Sequence, residues 1–239
     1  MEATPQTDAP EIGLVGRMLR VFYAPGETFA SLARKQSKAD WLVPVALSAI
    51  MALVVAQQIM PIAMKEGMAQ MEEKLQDMPA EQREMTEKIQ SYGQTGGMVA
   101  APLMPFVMLF VAAGVLLVLG KLMGSEGTYS QMMAVYAYSS LIGVLKTIVV
   151  APIMVSKQTI VIQTGLGILF SDELLQTFAG RFLSMFELFT VWQAIITAMG
   201  LAIVGKISMG KATAGVFAIA IVLVAIGAAI AGLSSAFGG

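Results

Sequence analysis

Lys146 is the residue whose position most clearly requires a chemical explanation, because it lies well inside the third long apolar run of the chain. A charge at the centre of a membrane helix costs about 2.5 to 3.5 kcal/mol on insertion scales, so a compensating group is expected. Polar and small residues recur around Lys146 at three- and four-residue steps, which places them on one helical face. They are Tyr136, Ser139, Ser140, Gly143 and Thr147. This stripe is predicted to face other helices.

The fourth apolar run carries a second polar face, formed by Glu187, Thr190 and the neighbouring Gln193. At about 1.5 Å per residue, antiparallel neighbouring helices would bring Lys146 and Glu187 to a similar depth. We therefore expect the two to form an ion pair inside the bundle. Two alternatives stay open: Lys146 reaches the surface through its apolar stem, or the two charges line a path for an ion or proton.

Few other residues are suited to catalysis, because the chain contains neither cysteine nor histidine. Thiol nucleophiles, disulfides, imidazole bases and the usual zinc ligands are thereby excluded. The formal net charge of −1 and the lack of a long basic run give no reason to expect nucleic acid as a partner. We expect no catalytic residue, no cofactor and no metal site, and hence no enzyme.

Methionine recurs at helical spacing in the segment that follows the first apolar run. This stripe comprises Met64, Met68, Met71, Leu75, Met78, Met85 and Ile89. Pro79 is expected to separate two helices, so residues 65–95 are predicted to form a helical hairpin that packs on itself, on the bilayer or on a second copy. Thioether sulfurs at this spacing could also bind a soft ion such as Cu(I). Methionine is more often an adaptable packing residue, which favours the hairpin.

The elements that position these residues follow from composition, since 56% of the residues are hydrophobic and only 13% are charged. About 20 apolar residues are needed to cross roughly 30 Å of hydrocarbon as a helix. Lipid offers no partner for open backbone groups, so the spans should be helices. The predicted fold is an all-α polytopic transmembrane bundle of five helices. The runs are Trp41–Met60, Met98–Leu119, Met132–Met154, Met185–Val204 and Val216–Leu233.

The residues before the first span fall into two regions. Residues 1–10 are polar and are predicted to be a disordered tail. Residues 11–40 are predicted to form amphipathic helices in the cytoplasmic interface, with Arg17 and Arg20 available to anionic headgroups and Pro25 starting a new helix.

Orientation is predicted from basic residues, which are retained on the cytoplasmic side of spanning helices. Five of them precede the first span: Arg17, Arg20, Arg34, Lys35 and Lys38. The N-terminus is therefore expected in the cytoplasm. Because the number of crossings is odd, the C-terminus and the hairpin at residues 65–95 are expected outside.

Three stretches resemble the Yip1 family, particularly its bacterial members. One runs from residue 20 to residue 41, one is the glycine-rich entry to the third span at residues 124–139, and one covers residues 186–212. The residues most similar to the family pattern are Pro25, Phe29, Trp41, Phe189, Trp192 and Gly200. Residues 41–239 would then form a five-helix Yip1-like domain.

Two positions depart from that pattern. Many relatives carry Asp at the position of Glu187, and Pro often follows the Tyr-Ala-Tyr-Ser segment where this chain reads Leu141-Ile142-Gly143. The resemblance implies five spans and a cytoplasmic N-terminus. Eukaryotic members are associated with membrane traffic and small GTPases, whereas the bacterial members imply no role for any particular residue.

The function expected from these observations is a non-enzymatic scaffold or adaptor in the cytoplasmic (inner) membrane. Its expected partners are membrane lipids and membrane or cytoplasmic proteins, with a second copy of the chain as a further candidate. The alternative is a small-solute or ion transporter using Lys146 and Glu187. The odd span number and the lack of a visible internal repeat weaken that alternative. Metal handling by the methionines is the third interpretation.

Overall fold

The computed structural model describes residues 12–76, 80–160, 162, 165–184 and 187–237. The predicted tail, residues 1–10, lies outside this part of the chain. The predicted all-α fold class is confirmed. A 3-10 turn at Leu166–Leu169 precedes α8. The helices are α1 Leu14–Arg20, α2 Pro25–Arg34, α3 Ala39–Gln76, α4 Ala80–Ala100, α5 Met104–Leu122, α6 Tyr129–Ser139, α7 Leu141–Lys157, α8 Asp172–Gln176, α9 Phe178–Ser184, α10 Leu188–Gly205 and α11 Met209–Phe237.

The described residues include five helical segments that are long and apolar enough to cross a membrane, as the sequence predicts. Several segments extend beyond the predicted apolar runs. Insertion depends on the apolar run, whereas a helix continues for as long as its backbone hydrogen bonds are made, so the two boundaries differ. The segments are Ala39–Met68, Met104–Leu122, Tyr129–Lys157, Leu188–Gly205 and Met209–Ile230.

The first span and the segment after it form one helix, α3, of 38 residues. Helix α4 then returns to α5, so the predicted hairpin is an extension of the first span. A Cβ atom at Gly97 would lie 2.6 Å from the Cε of Met60, which shows that the two helices approach closely there. Met85 and Ile89 are exposed. The predicted turn at residues 77–79 and the side chains of Met71, Leu75 and Met78 lie outside the described part.

The third span is interrupted at Ser140, which separates α6 from α7. The hydroxyl of Ser139 donates to the Val135 carbonyl at 2.8 Å, and that of Ser140 donates to the Ala137 carbonyl at 2.8 Å. Hydroxyls that bond back to helix carbonyls compete with the backbone ladder and bend helices. The interruption therefore forms although none of the three residues directly after it, Leu141, Ile142 and Gly143, is a proline.

Helices α1 and α2 form a unit, here termed the N-terminal hairpin, that packs against the bundle. Val21, Phe29 and Leu32 belong to the same hydrophobic core as α6 and α10. The apolar face of α2 therefore contacts protein, a contact that the prediction of interfacial helices did not include. An amphipathic sequence has the same pattern whether its apolar face meets lipid or protein, so the sequence could not separate the two.

Both ends of α10 are fixed by neighbouring segments. At its start the backbone of Glu187 pairs with that of Gly165 in an isolated bridge. At its end Glu126 donates its backbone N–H to the Gly205 carbonyl at 3.1 Å. Lys206 Nζ also donates to Glu126 Oε2 at 2.7 Å. This hydrogen bond lowers the pKa of Glu126 and raises that of Lys206.

Candidate functional site

An ion pair joins Lys146 of α7 to Glu187 at the start of α10. Lys146 Nζ donates to Glu187 Oε1, and the side chains are 36% and 13% exposed, respectively. The two residues are 41 positions apart in the chain, so the contact is made by the fold. Each charge neutralises the other within the helical bundle.

Glu187 is positioned as the N-cap of α10, just before the helix rather than within it. Its backbone is extended, with φ −116° and ψ 156°. Thr190 Oγ1 donates to Glu187 Oε1 at 3.0 Å. The carboxylate also lies beside the positive end of the α10 dipole. Two features of the α10 start therefore position Glu187 beside α7: the Thr190 hydrogen bond and the Gly165 bridge.

The polar stripe of the third span lines a cavity of about 370 Å³ between α3, α5 and the α6–α7 region. Tyr136, Ser140 and Thr147 line it, together with Gln193 of α10. Ser139 does not take part, because it is fully buried and bonds its own helix.

A second cavity of about 400 Å³ lies between α5, α10 and α11, with Thr190 among its lining residues. Met108, Tyr136 and Gln193 line both cavities and therefore form the wall between them. Neither the Tyr136 hydroxyl nor the Gln193 amide has a hydrogen-bond partner among the residues that the structure describes. The predicted pair and stripe thus adjoin two cavities that share a polar wall.

A second charged site, which the sequence did not predict, fixes the N-terminal hairpin to the bundle. Arg17 Nη1 donates to Asp40 Oδ1 at 2.8 Å, and both residues are buried. The Tyr138 hydroxyl donates to the same oxygen at 3.0 Å. The second carboxylate oxygen accepts the backbone N–H of Ser37 at 2.7 Å. Arg17 Nε also donates to Ser31 Oγ at 3.1 Å.

The Asp40 carboxylate joins α3 to α1 and α6, and Arg17 adds α2 through Ser31. This network corrects the prediction that Arg17 faces lipid headgroups, since Arg17 is only 8% exposed. Arg20 stays near the surface, where it pairs with Glu27. The only sequence signal for the network was an acidic residue, Asp40, directly before the first span. Spacing alone could not connect Asp40 with Arg17 or Tyr138.

The family-like residues also meet in the fold. A Cβ atom at Gly200 would lie 2.9 Å from the Phe29 ring and 2.7 Å from Val135 Cγ1, so only glycine lets α2, α6 and α10 approach this closely. Phe22 meets Trp192 edge to face, with ring centroids 6.3 Å apart.

The remaining family-like residues have local roles. Trp41 lies against Phe110, with ring centroids 6.5 Å apart. Pro25 opens α2, where its missing N–H leaves no helix bond unmade. Phe189 packs at the edge of the core.

The sequence model of the Yip1 domain family matches residues 19–231. The chain belongs to the Yip1 family. The matched region includes both α2, with its Phe29–Gly200 contact, and the five spans. No curated protein and no solved structure gives a significant match. Among the described residues of this Yip1-family chain, no group of three or more His, Cys, Asp and Glu could hold a metal ion.

Proposed function

We propose that this Yip1-family protein is a non-enzymatic scaffold or adaptor of the cytoplasmic membrane. The N-terminal hairpin is its display surface for membrane or cytoplasmic proteins. One observation carries the proposal: the hairpin is fixed on its inner side and apolar on its outer side. Val15, Leu19 and Tyr23 are exposed and follow one another at four-residue steps along α1 and the turn after it.

A rigid support distinguishes this surface from a free amphipathic segment. The Arg17–Asp40 pair and the buried Phe29 hold α1 in one orientation, so a partner would not have to order it on binding. A fixed apolar patch that adjoins Arg20 suits a partner with apolar and acidic residues. The basic residues before the first span, Arg20 and Lys38 among them, favour a cytoplasmic location for this end of the bundle.

The direct test compares Leu19→Glu with the matched change Leu122→Glu at an exposed position on α5. Leu19 is 59% exposed and Leu122 is 81% exposed, so neither change should disturb the core. Proteins that co-purify with the unmodified chain in mild detergent should be retained by Leu122→Glu and lost by Leu19→Glu. A partner set that is the same for both variants would contradict a role for the hairpin.

A second candidate function, transport of a small solute or ion, is favoured by the Lys146–Glu187 pair beside two cavities. If the protein is a transporter, the flux of solute or ion into liposomes that contain the purified protein should exceed the flux into empty liposomes. Lys146→Met should abolish such flux while the protein remains folded. No flux in the unmodified protein would exclude this candidate and leave the scaffold.

A further inference from the structure

We propose that the groove between α5, α10 and α11 holds one acyl chain of a membrane phospholipid whose phosphate binds Lys146. This deepens the proposed scaffold function, on which it rests, by giving that scaffold a specific lipid partner. The site lies apart from the Val15–Tyr23 surface of the N-terminal hairpin. The two proposals can therefore fail separately.

The groove has the dimensions and lining of a site for an apolar chain. Its volume of about 400 Å³ falls within the range of roughly 300 to 1,000 Å³ that is typical of ligand cavities. Val111, Val115 and Leu223 line it and are exposed at the surface of the helical bundle. Helices with these compositions are surrounded by lipid, so the substance that meets the groove is an acyl chain rather than water.

The wall of the groove indicates that its occupant carries a polar linkage. Tyr136 and Gln193 present a hydroxyl and an amide that have no protein partner within the described part of the chain. An unsatisfied polar group in hydrocarbon costs several kcal/mol, so a plain hydrocarbon chain would leave both at a penalty. The ester carbonyls of a phospholipid accept hydrogen bonds from such donors. Gln193 lies six residues beyond Glu187, which is about 9 Å along a helix.

Lys146 is placed to bind the phosphate. It is the more exposed member of the ion pair, and its ammonium carries three donors, of which Glu187 accepts one. Thr190 connects the two parts of the site, since it donates to Glu187 and also lines the groove. A phospholipid could therefore place its phosphate at Lys146, its ester at Gln193 and one chain in the groove.

Two substitutions in α11 test the groove. Ala220 lines it, whereas Ala218 is exposed and lies outside it. Protein purified in dodecyl maltoside would be titrated with phosphatidylglycerol, and bound lipid would be counted by native mass spectrometry. The unmodified protein and Ala218→Phe should bind one lipid, and Ala220→Phe should bind it at least about tenfold more weakly because the new ring fills the groove. Equal binding by the two variants would overturn the proposal.

The polar contacts are tested by changing the lipid and by Gln193→Leu, which keeps roughly the same volume. Diacylglycerol with the same chains should bind about tenfold more weakly than phosphatidylglycerol, since it lacks the charge-assisted contact. Gln193→Leu should also weaken phosphatidylglycerol binding, and this holds even if Ala220→Phe does not fold. Equal affinity for both lipids would overturn the phosphate contact. Displacement of the lipid by inorganic phosphate alone would instead assign Lys146 to a soluble anion.

Failure of the lipid-site proposal can be distinguished from failure of the scaffold proposal. Leu19→Glu should lose protein partners while it keeps its bound phospholipid. Ala220→Phe should lose the phospholipid without any effect on α1. Loss of lipid in Leu19→Glu would show that the groove depends on the hairpin, and it would overturn the proposed site as an independent one.

Discussion

Lys146 and Glu187 depend on each other, since each neutralises a charge that the other would otherwise leave within the bundle. Lys146→Met or Glu187→Gln alone should lower the unfolding free energy by about 1 to 3 kcal/mol, less than for a fully buried pair because Lys146 is partly exposed. The double variant should lose less than the sum of the two. Thermal unfolding in detergent of the four proteins measures this coupling.

The control for that cycle is Lys157→Met, which removes an exposed lysine from the end of the same helix. It should leave the midpoint of unfolding nearly unchanged. If the effects of Lys146→Met and Glu187→Gln simply add, the contact contributes nothing to stability.

Gly200 permits the contact between α2, α6 and α10, so it should not tolerate a methyl group. Gly200→Ala would place a Cβ 2.7 Å from Val135 Cγ1 and 2.9 Å from the Phe29 ring. We expect a loss of about 1 to 3 kcal/mol, typical of overpacked cores. Gly114→Ala is the matched control, because its added Cβ would meet nothing within 4 Å apart from its chain neighbours and the backbone of its own helix. Phe29→Leu should recover part of the loss, and equal melting temperatures for the two glycine variants would disprove the close approach.

The contacts of single residues could be predicted from the sequence where those residues recur at helical spacing. The stripe around Lys146 and the face around Glu187 indicated a contact that the structure contains. The Arg17–Asp40–Tyr138 network was not predictable, because Asp40 and Tyr138 are 98 positions apart and the three residues share no periodicity. Arg17 near an apolar helix face is also the usual pattern of a headgroup-binding residue, so its burial could not be inferred.

The N-terminal hairpin should detach from the bundle when the Asp40 carboxylate that holds it is removed. Asp40→Ala leaves Arg17 buried without its ion-pair partner, and breaking a buried pair on one side costs about 3 to 5 kcal/mol. Amide hydrogen exchange in residues 14–34 should therefore rise, while exchange in α11 should change little.

Glu27→Ala is the control for that change, because it breaks the exposed pair between Glu27 and Arg20. Exposed pairs contribute about 0 to 1 kcal/mol, so exchange in the hairpin should stay near that of the unmodified protein. If the amides of residues 14–34 exchange equally fast in the Asp40→Ala and Glu27→Ala variants, the network does not hold the N-terminal hairpin.

Helices were the most predictable elements, because the apolar runs exceed the length that a bilayer requires. The extension of α3 to Gln76 was less evident, since charged residues after Met68 end the apolar run without ending the helix. The interruption at Ser140 also escaped prediction. Serine occurs within many membrane helices, and only the geometry of its hydroxyl shows that it competes with the backbone.

Topology is the main prediction for the whole molecule. With the N-terminus in the cytoplasm, a reporter fused at Ser208 should be cytoplasmic and one fused at Ser91 should lie outside. Ser91 belongs to α4 and Ser208 lies between α10 and α11, so the two positions sample opposite ends of the bundle. A fusion at Gln158, after α7, should match Ser91. The reverse pattern at all three sites would invert the proposed orientation.

The number of spans and the family could be inferred from the sequence, and both agree with the structure and the family match. The position of α2 against α6 and α10 could not, since it depends on a glycine and a phenylalanine that are 171 residues apart, at positions 200 and 29. Contacts between distant segments leave no periodic trace in one sequence. The cavities beside Gln193 result from the same kind of distant contact.

Helix α3 has a mechanical consequence. Its 38 residues extend about 57 Å, nearly twice the thickness of the hydrocarbon layer. One end carries Asp40, which holds the N-terminal hairpin, and the other joins α4. A stiff rod that pivots within the bilayer acts as a lever, so tilting one arm moves the other in the opposite direction. Pro44 and Pro61 lie within this rod and are the points where it can bend and absorb part of that motion.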